Sequence, residues 1–515
     1  MKLSPSNKII KILKIGSFAA IILAYLSRLL GAFVDPDMWW HIRLGEDILK
    51  GTWVNTLTYT CTDYIWINHS WLSDVLISIV NKILGFQGLS ILFALVFSGG
   101  IAFSVLSLNL ILNNHKIKSS KLNILLYVAF FTLILSSFIA IRPQIFTFLF
   151  FNALIFFLLK IYYSKSIKYV TLLPAFLVFI LWVNLHGGFV IGIVLIGIFI
   201  IDLFGGFLFK LLSGQKSQAK LNLNKIKYLV LLVVLFLLAS LINPFGFDLW
   251  KEIFTLVLGS NNANFITEWK AINIKESYGL FYFVLFIVSL VLPIINKSRN
   301  TLRLLLVLIF GFLSLYSVRY ILPVSGIILL VLFVEANLMF DWLLNRILVK
   351  DKDILRLLSL LKYVLITSVA LIGIMSAYIG FAFFLSVRDV NSIENFFYPL
   401  DAKNYLEENK DMYKNLNFYN TYVWGGYLEY TLPEYKWIID GRMPEWHCKG
   451  EVKSSIMLDY IEVEDLGKDW NLVFEKHNTG GILIKTGSIL YNVLESSSKW
   501  DIVYSDKLAT IFIRK

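Results

Sequence analysis

The chain has 515 residues, of which 57% are hydrophobic and 16% charged, with a net charge of +12 and a mean hydropathy of +0.71. A soluble domain carries about 25% charged residues and lacks the interior to hide this much apolar surface. The composition therefore excludes a soluble enzyme, a nucleic-acid-binding protein and a disordered chain.

Apolar runs of about 18 residues or more predict membrane-spanning helices. About eleven are expected, near 15–34, 87–113, 122–141, 144–163, 169–184, 189–210, 228–245, 278–296, 303–318, 321–340 and 363–386. The shorter amphipathic segment 71–84 is expected to lie along the membrane surface. The sequence thus predicts a polytopic α-helical membrane protein.

The loop after the first span, residues 35–86, begins with the segment DPDMWWHIRLGEDIL. Asp35, Asp37 and His41 fall within seven residues of each other in a chain poor in charge. Two carboxylates this close can share a metal ion, or one can raise the pKa of the other. Either arrangement suits a general base or a metal-assisted transfer. The alternative interpretation is an ordinary acidic and aromatic membrane boundary.

Further polar side chains occur in this loop and in four later loops predicted on the same side of the membrane. Those singled out for a binding role are His69, Arg142, His186, Glu268 and Arg319. Each alone is explained by a snorkelling anchor or a helix cap. Together they suggest a site, because a membrane bundle can bring several loops over one cavity.

The tail, residues 387–515, is a different kind of sequence. Its apolar runs shrink to strand length at 416–420, 436–440, 481–485, 500–504 and 509–513, with helix-like stretches between them. This alternation predicts a small α/β domain. Two domains are therefore expected, a membrane domain at 1–386 and the tail domain at 387–515.

Basic residues set the expected orientation, because cytoplasmic loops carry an excess of Lys and Arg. One alternate set of loops, including the Lys-rich connector 212–227, holds 23 Lys or Arg and 3 Asp or Glu. The amino terminus is therefore expected in the cytoplasm. With eleven spans, the carboxyl terminus and the tail domain lie outside. Cys61 and Cys448 both fall on that outer side, where disulfides form, but the sequence leaves open whether they pair.

Soluble nucleotides are not expected as substrates, since no P-loop, GxGxxG, HExxH, CxxC or GxSxG motif occurs at a plausible place. The excess of positive charge lies in the predicted cytoplasmic loops, where it faces anionic lipid and determines the topology. It does not indicate a nucleic-acid partner. An enzyme that works on the outer face would need an activated substrate delivered by the bilayer. A lipid-linked donor meets that need.

Several motifs in consistent order resemble bacterial membrane proteins of the GT-C glycosyltransferase superfamily. They are DPDMWWHIRLGEDIL, INHSWLSDVL, RPQIFTFLF, WVNLHGGFVIG, LINPFG and ITEWK, with YNTYVWGGYL and WIIDGR in the tail. The resemblance implies a GT-C-like bundle in the plasma membrane with an extracytoplasmic tail domain. It also implies a polyprenyl-phosphate sugar as donor and a cell-envelope glycan, lipid or protein as acceptor.

The resemblance also implies roles for the residues singled out above. Asp37, with Asp35, would deprotonate an acceptor hydroxyl or bind a divalent metal ion, supported by His41 and His69. Relatives carry an Asp-Glu pair just past the first span, whereas Asp37 is followed by Met38, so Asp35 would compensate. Arg142 and Arg319 would bind the donor phosphate, and His186 and Glu268 would line the sugar or acceptor cavity. Trp424, Asp440 and Arg442 would recognise the acceptor or cap the cavity; the alternative is a folded appendage whose DGR turn is structural.

Two other functions compete with the transferase. A transporter or lipid-carrier flippase would place ionisable groups near the bilayer midplane. The clear charges within predicted spans are Asp202 and Glu335, both towards the predicted cytoplasmic ends. A non-catalytic receptor or assembly factor would use the acidic tail to bind a partner.

Overall fold

The structure is a computed structural model that describes nine stretches of the chain. They are residues 35–53, 58–61, 64–117, 120–135, 138–258, 266–296, 300–346, 397–443 and 455–515. The predicted spans near 15–34 and 363–386 lie outside these residues, and so does Cys448. The chain divides into two compact units. Of the described residues, the span unit comprises 90–117, 120–135, 138–246, 266–296 and 300–346, and the sheet unit comprises 35–53, 58–61, 64–89, 247–258, 397–443 and 455–515.

Eleven helices precede the tail in the described part of the chain. In order they are α1 Pro36–Leu49, α2 Trp71–Asn114, α3 Lys121–Leu135, α4 Gln144–Tyr163, α5 Leu172–Leu185, α6 Val190–Leu212, α7 Lys216–Ala239, α8 Asp248–Leu258, α9 Ser277–Ile295, α10 Thr301–Tyr316 and α11 Ile321–Arg346. Single 3₁₀ turns at Tyr169–Thr171, Gly187–Phe189, Thr267–Trp269 and Val318–Tyr320 lie between them.

Among the described residues, six helices are long and apolar enough to cross a membrane, and three shorter apolar helices accompany them. The nine spans predicted between 87 and 340 coincide with these nine helices, as expected for a multi-pass membrane protein. The Lys-rich connector differs from the expectation. We expected residues 212–227 to form a solvated loop, but α7 begins at Lys216 and continues into the span. Residues 216–227 contain no Gly or Pro and are rich in good helix formers, so the helix extends through them.

Helix α2 contains a break at Gly85, whose backbone has φ 62° and ψ −165°. Glycine reaches the left-handed side of the φ range without a steric penalty. The amphipathic segment 71–84 is therefore separated from the apolar span that follows it. Its placement along a membrane surface stays a prediction.

Helix α11 is the central helix of the span unit and contacts α3, α4, α9 and α10. The Nε of Arg303 lies 2.8 Å from Oε1 of the buried Glu335, and Asn296 Nδ2 donates to the other carboxylate oxygen at 2.8 Å. Asp202 accepts from the Tyr162 hydroxyl at 2.8 Å. Both acidic residues of the predicted spans thus tie helices together, as buried charges require.

The tail contains a five-stranded mixed sheet with helices between its strands. The strands are β1 Asn417–Asn420, β2 Lys436–Trp437, β3 Thr479–Lys485, β4 Trp500–Ser505 and β5 Ala509–Arg514. Their order is β2-β1-β3-β5-β4, with the first three parallel and β5 antiparallel to both of its neighbours. The helices are α12 Leu400–Glu408, α13 Lys410–Tyr413, α14 Gly425–Thr431, α15 Ile456–Glu464, α16 Trp470–Lys476 and α17 Ile489–Glu495.

The loop after the first predicted span joins this sheet. Thr58 forms a parallel bridge with Trp437 of β2, and the Thr60 hydroxyl donates to Ile438 O at 2.7 Å. Cys61 is buried in the same apolar core as Tyr419 of β1. The first loop and the tail, which are far apart in sequence, are therefore built into one body.

Candidate functional site

The start of α1 is shaped by its own sequence. Asp35 is the N-cap residue, and its carboxylate accepts from the Asp37 backbone N–H at 2.9 Å. Pro36 follows at the first helical position, where its missing N–H costs nothing. Asp37 then lies in the first turn, where a negative charge interacts favourably with the helix dipole. Asp35 thus serves as a helix cap, and Asp37 is the carboxylate that the first turn presents.

Asp37 is half-buried and held by two neighbours. Its Oδ1 accepts from the Trp40 indole Nε1 at 3.1 Å. Gly441 is adjacent to both groups: a β-carbon there would come within 2.2 Å of the same Oδ1 and 3.1 Å of the Trp40 Nε1. Only a residue without a side chain leaves room for the carboxylate in this position.

His41 is oriented by a carboxylate that the sequence analysis did not assign. Its Nδ1 lies 2.6 Å from Oδ1 of Asp74, and both side chains are buried. Asn68 donates to the other Asp74 oxygen at 2.6 Å. With Asp74 accepting at Nδ1, the second ring nitrogen of His41 is held in a fixed direction. Asn68, rather than the neighbouring His69, thus completes this group.

The DGR turn after β2 forms a second buried charged group. Arg442 donates from Nε to Asp440 Oδ1 at 2.8 Å, and its Nη2 pairs with Asp440 Oδ2. The same Nη2 lies 3.2 Å from Glu429 Oε1, and the guanidinium lies 5.6 Å from the Trp66 ring centroid. All three charged side chains are fully buried. The turn is therefore fixed by charge pairing that solvent does not screen.

Burial and neighbouring charges determine the protonation of this group. Burial raises the pKa of Glu429 well above its usual value, and the negative charge of Asp440 raises it further. Burial lowers the pKa of Arg442, but Asp440, Glu429 and Asp74 raise it more, so its net shift is upward. Arg442 is therefore a permanent cation, and the surroundings of Glu429 favour its protonated form more than those of an exposed carboxyl group do.

The tail motifs lie at the carboxyl ends of the parallel strands. YNTYVWGGYL begins with the last two residues of β1, and WIIDGR begins at Trp437, the last residue of β2. In open α/β sheets, ligands bind at this edge. Here Gly426 lies against the Pro36 carbonyl and the Trp40 ring, and the buried Trp424 donates to Phe397 O at 3.2 Å. The edge is thus in contact with the first turn of α1, which bears Asp37.

A metal ion was an open alternative for Asp35 and Asp37. Among the described residues, no group of three or more His, Cys, Asp or Glu side chains is arranged to hold one. Asp35 is engaged as a cap and Asp37 accepts from Trp40, so the donors described do not fit a metal site.

In the span unit, the structure brings together three of the predicted binding residues. Arg142 Nη1 pairs with Glu268 Oε1, and the Arg319 guanidinium lies 4.7 Å from the ring centroid of Trp269. The segments are joined by backbone hydrogen bonds, including Val318 N to Lys270 O at 3.0 Å. Two cations, a carboxylate and an indole therefore form one cluster.

His186 belongs to a separate hydrogen-bonded group in the same unit. Its Nδ1 accepts from Gly188 N at 3.0 Å and lies 2.8 Å from the Thr147 hydroxyl. The Trp182 indole donates to that hydroxyl at 3.0 Å. Because Nδ1 is the acceptor, a neutral His186 carries its proton on Nε2.

Four residues of the sheet-unit site were missed from the sequence: Asn68, Asp74, Glu429 and Gly441. Asp74 shares the polar side of the amphipathic segment 71–84 with Ser73, Ser78 and Asn81, so local pattern gave no sign that it would be buried against His41. Asn68 could have been recognised from its residue type, because Asn favours turns in which its side chain bonds the backbone two residues on. Its side chain does accept from Ser70 N at 3.0 Å. Glu429 and Gly441 became recognisable only once long-range contacts were known.

The fold was compared with known proteins. No protein-family model matches the chain, and no curated protein matches it. Among solved structures, AglB, the archaeal oligosaccharyltransferase from Archaeoglobus fulgidus in complex with an inhibitory peptide and a dolichol-phosphate, is similar with a TM-score of 0.55 and 13% identity. The alignment covers 97% of this chain and 74% of that one.

ArnT from Cupriavidus metallidurans is similar in two states. The apo form aligns with a TM-score of 0.51 at 13% identity, covering 99% of this chain and 98% of that one. The form bound to undecaprenyl phosphate aligns with a TM-score of 0.50 at 13% identity and covers 98% of each chain. Both neighbours are membrane glycosyltransferases of one superfamily. This chain therefore has the fold of the GT-C superfamily.

Proposed function

We propose that the chain is a membrane glycosyltransferase that transfers a sugar from a polyprenyl-phosphate-linked donor to an acceptor on the outer face of the membrane. Two observations support the donor class. The chain has the GT-C fold, and neighbours with that fold were solved with undecaprenyl phosphate or a dolichol-phosphate. The observation that carries the proposal is the half-buried Asp37 carboxylate, held by Trp40 and Gly441.

In this reaction the acceptor oxygen attacks the anomeric carbon of the sugar. The bond from that carbon to the phosphate oxygen breaks, and polyprenyl phosphate leaves. Asp37 takes the proton of the acceptor hydroxyl, which makes the oxygen nucleophilic as attack proceeds. Trp40 and Gly441 restrict the carboxylate to one orientation, which lowers the entropic cost of reaching the reacting geometry.

His41 supports this base from the same helix. Asp74 holds its ring through Nδ1, and Trp40 packs against it with ring centroids 3.6 Å apart. The pairing restricts the rotation of His41 and, through ring packing, that of Trp40. His41 and Asp74 are therefore assigned as positioning residues for the Trp40–Asp37 contact.

Arg142 and Arg319 are assigned to the donor phosphate. Arg presents a planar fork that matches phosphate oxygens and is always charged. Glu268 holds Arg142 in place, and Trp269 stacks on Arg319, so both cations are pre-oriented. Stabilising negative charge on the departing phosphate is the contribution expected of them. Glu268 and His186 are assigned to the sugar or acceptor cavity.

The tail residues Trp424, Asp440 and Arg442 are assigned a different role from the one expected first. We expected them to recognise the acceptor or to cap the cavity. Their side chains are buried and engaged with other protein groups, so they are unsuited to touch an acceptor. We assign them to holding the turn that contains Gly441, and through it Asp37.

The test uses the full chain, purified and reconstituted in lipid. It is incubated with a panel of polyprenyl-phosphate sugars and a cell-envelope extract as acceptor, and the release of polyprenyl phosphate is measured. Release that depends on one donor sugar, with sugar appearing on a component of the extract, is expected. A flippase would move the carrier across the bilayer with its sugar still attached. Folded protein that releases no polyprenyl phosphate from any donor would contradict the proposal.

A further inference from the structure

The span unit contains a groove between α4 and α5 whose volume is about 570 Å³. Its walls run from Phe150 to Ile161 on α4 and from Pro174 to Trp182 on α5, with Tyr228 of α7 at one side. The segment that connects the two helices closes one end. We name this feature the α4–α5 groove. None of the residues discussed as catalytic or donor-binding lines it.

The two ends of the α4–α5 groove differ in chemistry. The end at the connecting segment carries Lys160, Lys168 and the hydroxyls of Ser164, Ser166 and Thr171. The far end carries aromatic and aliphatic side chains, including Phe150 and Val178. Among the described residues that line the groove, none is Asp or Glu. The groove is therefore amphipathic along its length, with a positive head and an apolar body.

The length of the α4–α5 groove matches one leaflet of a bilayer. Ten residues of helix separate Phe150 from Lys160, which corresponds to about 15 Å of rise. The hydrocarbon core of a bilayer is about 30 Å thick. A molecule with its charged group at Lys160 would therefore place its chain within the nearer leaflet.

The volume limits the size of the apolar part. A volume of about 570 Å³ far exceeds the volume of about 30 Å³ that one water molecule takes in the liquid. The groove therefore has room for an acyl chain. A second chain would lie outside, against the exposed apolar surface of α5 formed by Leu173, Leu177 and Leu181.

We propose that the α4–α5 groove is a binding site for an anionic glycerophospholipid. One acyl chain occupies the groove, and the phosphate lies between Lys160 and Lys168 with the hydroxyls as further donors. Charge complementarity favours an anionic over a zwitterionic lipid. At the groove end that would hold the phosphate, the described lining residues include two ammonium groups and no carboxylate. Basic pockets between spans on the Lys-rich side are typical of such recognition. This inference does not depend on the transferase activity.

The headgroup part is tested with the detergent-purified full chain, titrated with phosphatidylglycerol or phosphatidylethanolamine and observed by native mass spectrometry. Phosphatidylglycerol is expected to bind more tightly. The double variant Lys160→Gln and Lys168→Gln should weaken phosphatidylglycerol binding roughly 30-fold. This is the combined effect of two Lys residues, each with the usual contribution of a Lys near anionic lipid. The matched control is Lys165→Gln, which removes an exposed Lys from the same segment that does not line the groove. Equal binding of the two lipids, or an equal loss in the control, would overturn the proposal.

The chain part is tested with phosphatidylglycerol that carries a photoactivatable group in one acyl chain. Crosslinks are expected in peptides from α4 and α5. Ala153→Trp fills the groove and should abolish them, whereas Val194→Trp, on the exposed surface of α6 outside the groove, should leave them unchanged. Melting temperatures verify that each variant is folded. Crosslinks elsewhere in wild type, or displacement of phosphatidylglycerol by an equimolar polyprenyl phosphate, would overturn the assignment.

Discussion

Asp37 Oδ1 occupies the space that a side chain at position 441 would fill, since a β-carbon on Gly441 would lie 2.2 Å from it. Position 441 is 404 residues along the chain from position 37, yet its backbone limits where the Asp37 carboxylate can point. The buried pairing of Arg442 with Asp440 fixes that backbone from the other side. The turn at Asp440–Arg442 thus orients the side chain of Asp37, the proposed base.

Gly441→Ala tests this positioning directly. The added methyl group meets the end of the Asp37 side chain rather than backbone, so the carboxylate should rotate away while the fold persists. Transfer from the donor is expected to fall by roughly 10²-fold, the cost of misplacing a catalytic group by about 1 Å. The measurement is the rate of polyprenyl phosphate release, alongside the melting temperature.

Gly467→Ala is the matched control for Gly441→Ala. Its β-carbon would also meet the end of an acidic side chain, Glu462 Oε1 at 2.3 Å, but away from Asp37 in the same unit. Stability should change to a similar degree in the two variants, and only Gly441→Ala should lose transfer. Equal activity in the two variants would remove position 441 from the mechanism.

Arg442→Met should destabilise the sheet unit strongly. It leaves Asp440 buried without its cation, and breaking a buried ion pair costs about 3–5 kcal/mol. The control is Lys403→Met, which breaks the more exposed pair with Glu407 and should cost less than about 1 kcal/mol. Chemical denaturation monitored by tryptophan fluorescence gives both values. A loss no larger than that of the control would mean that Arg442 does not hold the turn.

Glu429→Gln should change how stability depends on pH. The pKa of Glu429 is raised in the folded protein, so the folded state keeps a proton that the unfolded chain releases above its ordinary pKa. This group therefore lowers stability as the pH rises from the ordinary carboxyl range. Gln mimics the neutral acid, so the variant should lose less stability than wild type as the pH rises above the ordinary carboxyl pKa of about 4.3. Parallel curves of melting temperature against pH would contradict the assignment.

Cys61 is disulfide-bonded in the structure, and Cys448 is the one other cysteine in the sequence. A peptide map of non-reduced protein should therefore contain a Cys61–Cys448 crosslinked peptide that disappears on reduction. Cys61→Ser should lower the melting temperature, because the crosslink restricts the unfolded chain. Recovery of both cysteines as free thiols from oxidised protein would refute the pairing.

Hydrophobic runs were sufficient to predict the nine apolar helices between residues 87 and 340, because a bilayer requires a helix of nearly fixed length. The separation of the segment 71–84 from the span near 87–113 and the strands near 481–485 and 509–513 also followed from local pattern. Local pattern failed for residues 216–227, where charge suggested a loop although helix propensity was high. It also failed for 436–440, of which the strand takes only Lys436–Trp437.

The site was predictable only in part, for a physical reason. Asp35 and Asp37 were predicted because charged residues are dense in the segment just after a span. Arg142 and Glu268 were predicted because they are charged residues at the ends of spans. The contacts of His41 with Asp74 and of Asp37 with Gly441 depend on how distant segments pack. Sequence spacing carries no information on such contacts, so the group that orients the base emerged only from the structure.

The most direct test of the account is the rate of sugar transfer by Asp37→Asn and Asp35→Asn, each compared with wild type in lipid. Asp37→Asn keeps the shape and removes the charge, so transfer should fall by roughly 10²–10⁴, the range typical of lost acid–base catalysis. Asp35→Asn should stay near wild type, because Asn caps a helix as well as Asp. If Asp37→Asn transferred sugar at the wild-type rate while chemistry is limiting, the central claim would be wrong.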